Sequence, residues 1–255
     1  MAELLRTEKL RKYFGMVSAT DDIDLRIEDG VLTSIIGPNG AGKTTLINLL
    51  TGNLLPDSGK IFFQGEEITH LPTHKRVKKG MCRSFQIMNI FPKLSVFENL
   101  QIPVLSLLDR SLSFFKHVRS HHDANERVEK LLTEIGLIEK KDLPAGTLSH
   151  GDQRLLEIGL AMAPEPKLLF LDEPTAGMNP VERLKVLENI RRLSREKEAT
   201  FVIIEHDMDI VFSLSDRIVV LHRGQILADG KPDQIKEDEA VRKVYLGEEI
   251  LWERV

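Results

Sequence analysis

The chain reads as an α/β protein, a core of alternating strands and helices interrupted midway by a mostly helical segment. Three observations predict this class. Apolar runs at residues 31–36, 168–171, 200–204 and 217–221 have the length and branched side chains of buried strands. Helical spacing fills the gaps between the last three runs, at 181–197 and 208–214. From about residue 91 to 164 the pattern is helical instead, as at Val128, Leu131, Leu132 and Ile135.

Taken in order, residues 4–10 and 23–27 read as strands, and Asp29 with Gly30 as a hairpin turn into the strand at 31–36. A glycine-rich loop then leads into the apolar helix around 46–50, and a further strand follows at 60–64. Within the helical stretch, 123–135 and 155–162 carry the clearest periodicity. Strand character returns at 168–171, and residues 224–229 form a last strand before a polar, helical tail. The expected organisation is a single domain. Residues 1–90 and 165–255 make its core, 91–164 a helical subdomain, and about 238–255 the tail. No internal repeat or low-complexity segment interrupts this plan.

At 255 residues the chain can bury a substantial core. Charged residues at 29% and hydrophobic ones at 42% are ordinary for a globular protein. A formal net charge of −4 disfavours a general polyanion binder, so nucleic acid is not an expected partner. Cys82 is the single cysteine, which precludes an intrachain disulfide and suits a reducing cytosol. The opening MAELLRTEKLRKYF lacks the apolar centre of a signal peptide. No apolar stretch approaches the roughly 20 residues that span a bilayer, so work at a membrane needs another subunit as anchor.

The string GPNGAGKTT fits the phosphate-loop pattern G-x-x-x-x-G-K-[ST] between a buried-strand candidate and a helix. Its residues are Gly37, Pro38, Asn39, Gly40, Ala41, Gly42, Lys43, Thr44 and Thr45. The glycines let successive N–H groups turn toward phosphate oxygens, and the helix adds the positive end of its dipole. Lys43 supplies a point charge for the β- and γ-phosphates, and the Thr44 hydroxyl is placed to ligate Mg²⁺. The expected ligand is a nucleoside triphosphate.

KLLFLDEP sets two acids at the end of an apolar strand, where ligands gather in parallel sheets. Asp172 is the candidate to hold Mg²⁺, directly or through water, and Glu173 to polarise the attacking water as general base. Just upstream, LSHGDQR opens a helix in which Ser149 and Asp152 resemble a capping box.

With these three motifs in order, the chain resembles the ATP-binding subunits of ABC transporters, over residues 4–247. The resemblance implies a P-loop NTPase with a RecA-like core, an antiparallel β subdomain and a helical ABC signature subdomain. LSHGD stands where the family has LSGGQ, with His150 and Asp152 at the third and fifth positions. By this likeness Ser149, His150, Gly151 and Asp152 serve the γ-phosphate of ATP held by the opposite subunit. Gln86 falls at the Q-loop glutamine, which senses Mg²⁺ and water, and His206 at the switch histidine. Phe14 matches the aromatic that stacks on adenine, with Tyr13 the poorer choice by register. Asn179 takes the D-loop position where aspartate is commoner; it can hydrogen-bond across a dimer but cannot pair ionically.

The family mechanism is a head-to-tail dimer that sandwiches two ATP molecules and reopens on hydrolysis. It implies integral-membrane permease subunits, a place at the cytoplasmic face of the membrane as a peripheral ATPase, and pairing with a sister ATPase or a second copy. SVFENL, the insertion at 101–122 and VRKVYLGEE resemble branched-chain amino acid importers and their urea or amide relatives. Such systems also use a periplasmic or extracellular substrate-binding protein, an indirect partner here. ITHLPTHKRVKKG and VYLGE resemble the ATPase of lipopolysaccharide export as well, but that enzyme's Q-loop proline-glutamine pair is missing and the insertion is longer. Soluble ABC ATPases are a further alternative, disfavoured by the acidic balance and the lack of coiled-coil or zinc insertions. The insertion reads as an amphipathic helix, with permease or membrane contact as the sharper alternative. Adjacent His121 and His122 are a poor metal pair.

Overall fold

The computed structural model describes residues 2–84, 90–107 and 122–246. Gln86, positions 108–121 of the insertion and the end of the tail, 247–255, lie outside the described residues. In chain order the strands and helices begin with β1 (Glu3–Phe14), β2 (Val17–Ile23), β3 (Arg26–Glu28), β4 (Thr33–Ile36), α1 (Lys43–Thr51), β5 (Ser58–Phe63), β6 (Glu66–Glu67) and α2 (Thr73–Lys78). There follow β7 (Met81–Arg83), α3 (Val96–Leu107), α4 (His122–Glu134), α5 (His150–Met162), β8 (Leu168–Asp172) and α6 (Pro180–Arg195). The last are β9 (Thr200–Ile204), α7 (Met208–Leu214), β10 (Arg217–His222), β11 (Gln225–Gly230), α8 (Pro232–Glu237) and α9 (Glu239–Leu246).

Two compact units are formed, Met1–Arg76 with Thr200–Val255, and Val77–Ala199. The boundaries expected from sequence, near 91 and 164, both fall inside the second unit. β7 pairs in parallel with β8, and the Gly80 carbonyl accepts from the Lys167 and Leu168 N–H groups. That pairing ties both ends of the helical stretch into one body.

In the first unit an antiparallel sheet runs β2-β1-β5-β6, with β3 also on β1. β1 extends well past the expected end at residue 10, because its polar continuation is paired across the sheet: Arg11 with Asp22 at 2.5 Å and Lys12 with Asp57 at 2.8 Å. The expected strand at 23–27 is broken at Asp24 and Leu25. There the Thr7 hydroxyl donates to the Ile23 carbonyl at 2.7 Å and accepts from the Leu25 N–H at 2.8 Å.

The second set of strands in this unit runs β11-β10-β4-β9. β4 is parallel to β10 and β9, β11 is antiparallel to β10, and every residue of β4 and β9 is buried. This is why both read as unbroken apolar runs. Ile36, Val220, Met208, Val211, Ile235, Val241 and Tyr245 form the core beneath α7, α8 and α9. Asp29 and Gly30 do turn the chain, but no hairpin results: β3 stays on β1 while β4 enters the parallel strands. The Thr200 hydroxyl holds that turn, donating to Asp29 Oδ1 and accepting from the Gly30 N–H, each at 2.9 Å.

Arg76 is buried at the C-terminal end of α1. It donates to the carbonyls of Leu49 (2.8 Å), Leu50 (2.5 Å), Thr69 (2.9 Å) and Leu71 (2.8 Å). A cation there satisfies carbonyls that the helix leaves open and complements the negative end of its dipole.

In the second unit α4 buries Ala124, Val128, Leu131 and Leu132, the face its periodicity predicts. α5 is different: it buries Arg154 and Glu157 along with Leu155, Leu156 and Ile158. The insertion begins as the second half of α3, which tolerates Pro103, and ends at His122 in α4. Among the described residues no helix is long and apolar enough to cross a membrane.

Candidate active site

Parallel pairing sets the C-terminal ends of β4, β9 and β10 along one edge of the first unit. Gly37 follows β4, Glu205 and His206 follow β9, and the turn at Arg223 and Gly224 follows β10. The expected phosphate loop and the expected switch histidine are thereby brought to the same edge. His206 is exposed, and its N–H donates to the buried Glu205 carboxylate at 3.3 Å. Asp207 then caps α7 through the Asp209 and Ile210 N–H groups, which fixes the direction in which the chain leaves His206.

The loop is gripped on both sides. The Gly224 N–H donates to the Ala41 carbonyl at 3.0 Å, and the Asp21 N–H of β2 donates to the Gly224 carbonyl at 2.7 Å. Gly42, the residue before α1, has φ of 100°, and a Cβ there would lie 2.2 Å from the Ala19 carbonyl oxygen. Only glycine fits both the dihedral and the space. Lys43 Nζ donates to the Gly37 carbonyl at 2.6 Å and to that of Pro38 at 3.1 Å, which folds the ammonium over the loop. Thr44 is exposed in the first turn of α1, and Pro38, Asn39, Gly40 and Thr45 complete the loop segment around it. Phe14 closes β1, 50% exposed, at a hairpin where it faces Val17 across Gly15. Its ring is available for stacking, and Lys12 Nζ stands 5.9 Å from its centroid.

The remaining expected residues belong to the second unit. β8 is buried throughout, and Asp172 at its end, 4% exposed, accepts from Arg83 Nη2 at 2.7 Å. Glu173 follows with φ of 44°, a left-handed conformation unusual for a side-chain-bearing residue. A cavity of about 420 Å³ lies beside it, lined by His150, Arg154, Glu157, Asp172, Glu173 and Met178. A larger cleft of about 610 Å³, on the β1, β2 and β5 sheet, is lined by Lys9, Arg11, Asp22, Asp24 and Lys60 and carries none of the motif residues.

Ser149 caps α5, its hydroxyl accepting from the Asp152 N–H at 3.2 Å. The capping box suggested by sequence is only half made, because the Asp152 carboxylate turns to Lys140 and, at 2.6 Å, to Lys185. Burial alone would push the Asp152 carboxyl up, but those two ammonium groups outweigh it and hold it below the ordinary aspartate range. The Gly151 N–H donates to Glu182 at 3.3 Å, and a Cβ on Gly151 would press on the Glu182 Cβ at 3.0 Å. Asn179 caps α6, accepting from the Val181 and Glu182 N–H groups at 3.0 Å and donating to Glu182 at 2.8 Å. Its amide therefore has work within its own chain, a role that aspartate could share only in part.

Two residues with no role assigned from sequence stand at this end of β8. Arg83 pairs with Asp172, and Arg154 reaches the carbonyls that flank Glu173. Arg154 lies within LSHGDQR, and its signal in the sequence is a charge on a helix face otherwise built to be buried. Gln86 lies outside the described residues. Among the described residues no group of three or more His, Cys, Asp or Glu side chains could hold a metal ion by itself.

Comparison with known proteins gives a consistent picture. The ABC transporter family matches residues 20–176, and the branched-chain amino acid ATP-binding cassette transporter family matches residues 225–250. The high-affinity branched-chain amino acid transport ATP-binding protein BraF of Pseudomonas aeruginosa is 42% identical over 250 residues, 96% of this chain and 98% of that protein. LivG of Escherichia coli K12, of the same description, is 38% identical over 253 residues, again 96% and 98%. Among solved structures, the ADP conformation of MJ1267, an ATP-binding cassette of an ABC transporter, superposes with a TM-score of 0.85 at 34% identity. That match covers 97% of this chain and all of the other.

Proposed function

The chain belongs to the ABC transporter family as an ATP-binding subunit, and on that premise we propose that it powers import of branched-chain amino acids. It is an ATPase that works with membrane permeases, and its fold is the family's cassette. The single observation that carries the substrate class is full-length likeness to BraF and LivG. The sequence left the C-terminal segment divided between importer and exporter. The family match at residues 225–250 supports the importer.

Each residue has a stated task in this reading. The loop N–H groups and Lys43 bind the ATP phosphates, and Phe14 stacks on the adenine. The Thr44 hydroxyl and, separately, the Asp172 carboxylate are hard oxygen donors of the kind that Mg²⁺ prefers. A Mg²⁺ ion held by such donors would supply positive charge to offset that of the phosphates. Arg83 holds one oxygen of Asp172 and so fixes the carboxylate's orientation. Glu173 draws the proton from the attacking water, and His206 and Gln86 attend the γ-phosphate and water. Ser149 and Gly151 act on ATP held by a partner cassette, either a sister ATPase or a second copy. Closing and reopening of that pair moves the permease, which holds the ATPase at the cytoplasmic face of the membrane. A substrate-binding protein outside the membrane selects the cargo.

Mild-detergent purification of the tagged chain from its native cells, followed by mass spectrometry, tests the assignment. Multispanning permeases, a sister ATPase and loss of leucine uptake on gene deletion are expected. Recovery of ribosomal, DNA-processing or lipopolysaccharide-export proteins in their place would overturn it.

A further inference from the structure

Glu173 leaves β8 in a conformation that its own residue type disfavours, with φ of 44°. One side chain collects the backbone around it. Arg154 Nη2 donates to the Asp172 carbonyl at 2.7 Å and to the Glu173 carbonyl at 3.0 Å, and Nε donates to the Pro174 carbonyl at 3.1 Å. Nη1 donates to Glu157 Oε2 at 2.8 Å, one turn further along α5. Arg154 is 9% exposed and Glu157 6%. Three successive carbonyls are thus held by one planar fork that is itself oriented by a carboxylate.

We propose that Arg154, oriented by Glu157, is a positioning residue that sets the place of the Glu173 carboxylate. The inference rests on the reading of Glu173 as general base. A lysine ammonium, a point donor on a flexible stem, cannot bridge three carbonyls in this way. The carbonyl bonds stabilise the turn, but the ion pair itself is not what stability requires, since apolar side chains of similar volume replace buried ion pairs at little cost. Its gain is conformational: it keeps the turn after β8 in one arrangement, and misplacing a catalytic group by about 1 Å costs up to roughly a hundredfold in rate. Arg154 and Glu157 also line the same cavity as Glu173.

The test uses the full chain and three substitutions: Arg154→Lys, Glu157→Gln, and Arg154→Met combined with Glu157→Met. The double change leaves no buried charge unpaired but opens three carbonyls, so its melting temperature should fall, and its kinetics are read at a temperature where circular dichroism shows it folded. Its kcat for ATP should fall at least roughly tenfold while KM stays within about twofold. Arg154→Lys, which keeps the charge, should show the same split with a smaller loss, and Glu157→Gln a smaller one still. Should the double variant fail to fold, Arg154→Lys decides alone. Turnover by Arg154→Lys, or by a folded double variant, within about twofold of the parent overturns the proposal. So does a rise in KM that accounts for the whole effect. Glu173→Gln serves as reference. If it is inactive while the Arg154 variants are active, only the positioning role is lost; if it turns over normally, the general-base reading falls first.

Discussion

Replacing Arg76 by methionine should destabilise the protein by about 3 kcal/mol. The guanidinium is 1% exposed and donates to four backbone carbonyls, two of them at the end of the phosphate-loop helix. A hydrogen bond from a charged donor nets about 1.5–3 kcal/mol. Against this, burial lowers the Arg76 pKa from the ordinary arginine range to about 10. That shift corresponds to about 3 kcal/mol disfavouring the charged form. Even at the low end the four bonds exceed that penalty by about 3 kcal/mol. Methionine fills a comparable volume and leaves the carbonyls open. Urea unfolding followed by circular dichroism should show a lower midpoint with an unchanged slope, and the melting temperature should fall by about 6–12 °C. Arg76→Lys should lie between the two, since its ammonium can reach some of the carbonyls. A methionine variant within about 1 kcal/mol of the parent would refute the reasoning, as would a lysine variant worse than methionine.

Gly42→Ala places a side chain at φ of 100° and 2.2 Å from the Ala19 oxygen. The dihedral alone costs about 1–2 kcal/mol, and the loop must shift as well. ATP affinity by isothermal calorimetry should fall at least about tenfold, and unaltered binding would contradict the fit described for the loop. Asp152→Asn should destabilise the chain at neutral pH. The Asp152 carboxyl is held below its ordinary range, so its contribution is complete above about pH 4 and is lost as pH falls through the lowered value. Melting curves of parent and variant should therefore converge below that pH, and a constant gap down to pH 2 would exclude the carboxylate as the cause.

The strand-loop-helix around residues 37–45 was legible because its pattern is local: a strand, glycines at fixed offsets, Lys43 and Thr44 lie within one short string. β4 and β9 were equally plain, since a strand buried on both faces shows as an unbroken apolar run. What escaped depends on partners distant in sequence. The extension of β1 through Arg11 and Lys12 needs Asp22 and Asp57 to be seen. The Asp29–Gly30 turn reads as a hairpin until Thr200 is found beneath it. Arg154 and Glu157 show in sequence only as charges on an otherwise apolar helix face, and their task is visible once β8 supplies carbonyls for the guanidinium. Asn179 was a departure from the D-loop pattern in sequence, and in the structure it is the cap of α6. Motifs compress what a ligand demands of the backbone, whereas support for those motifs is spread through the fold.

Glu173 is proposed as the base for ATP hydrolysis by this chain. The direct measurement is a single-turnover assay with radiolabelled ATP and Mg²⁺ on the full chain and its Glu173→Gln variant, with nucleotide binding followed in parallel. Binding should be equal within about twofold while phosphate release by the variant falls at least about a hundredfold. Phosphate release from Glu173→Gln at the parent rate would contradict the assignment.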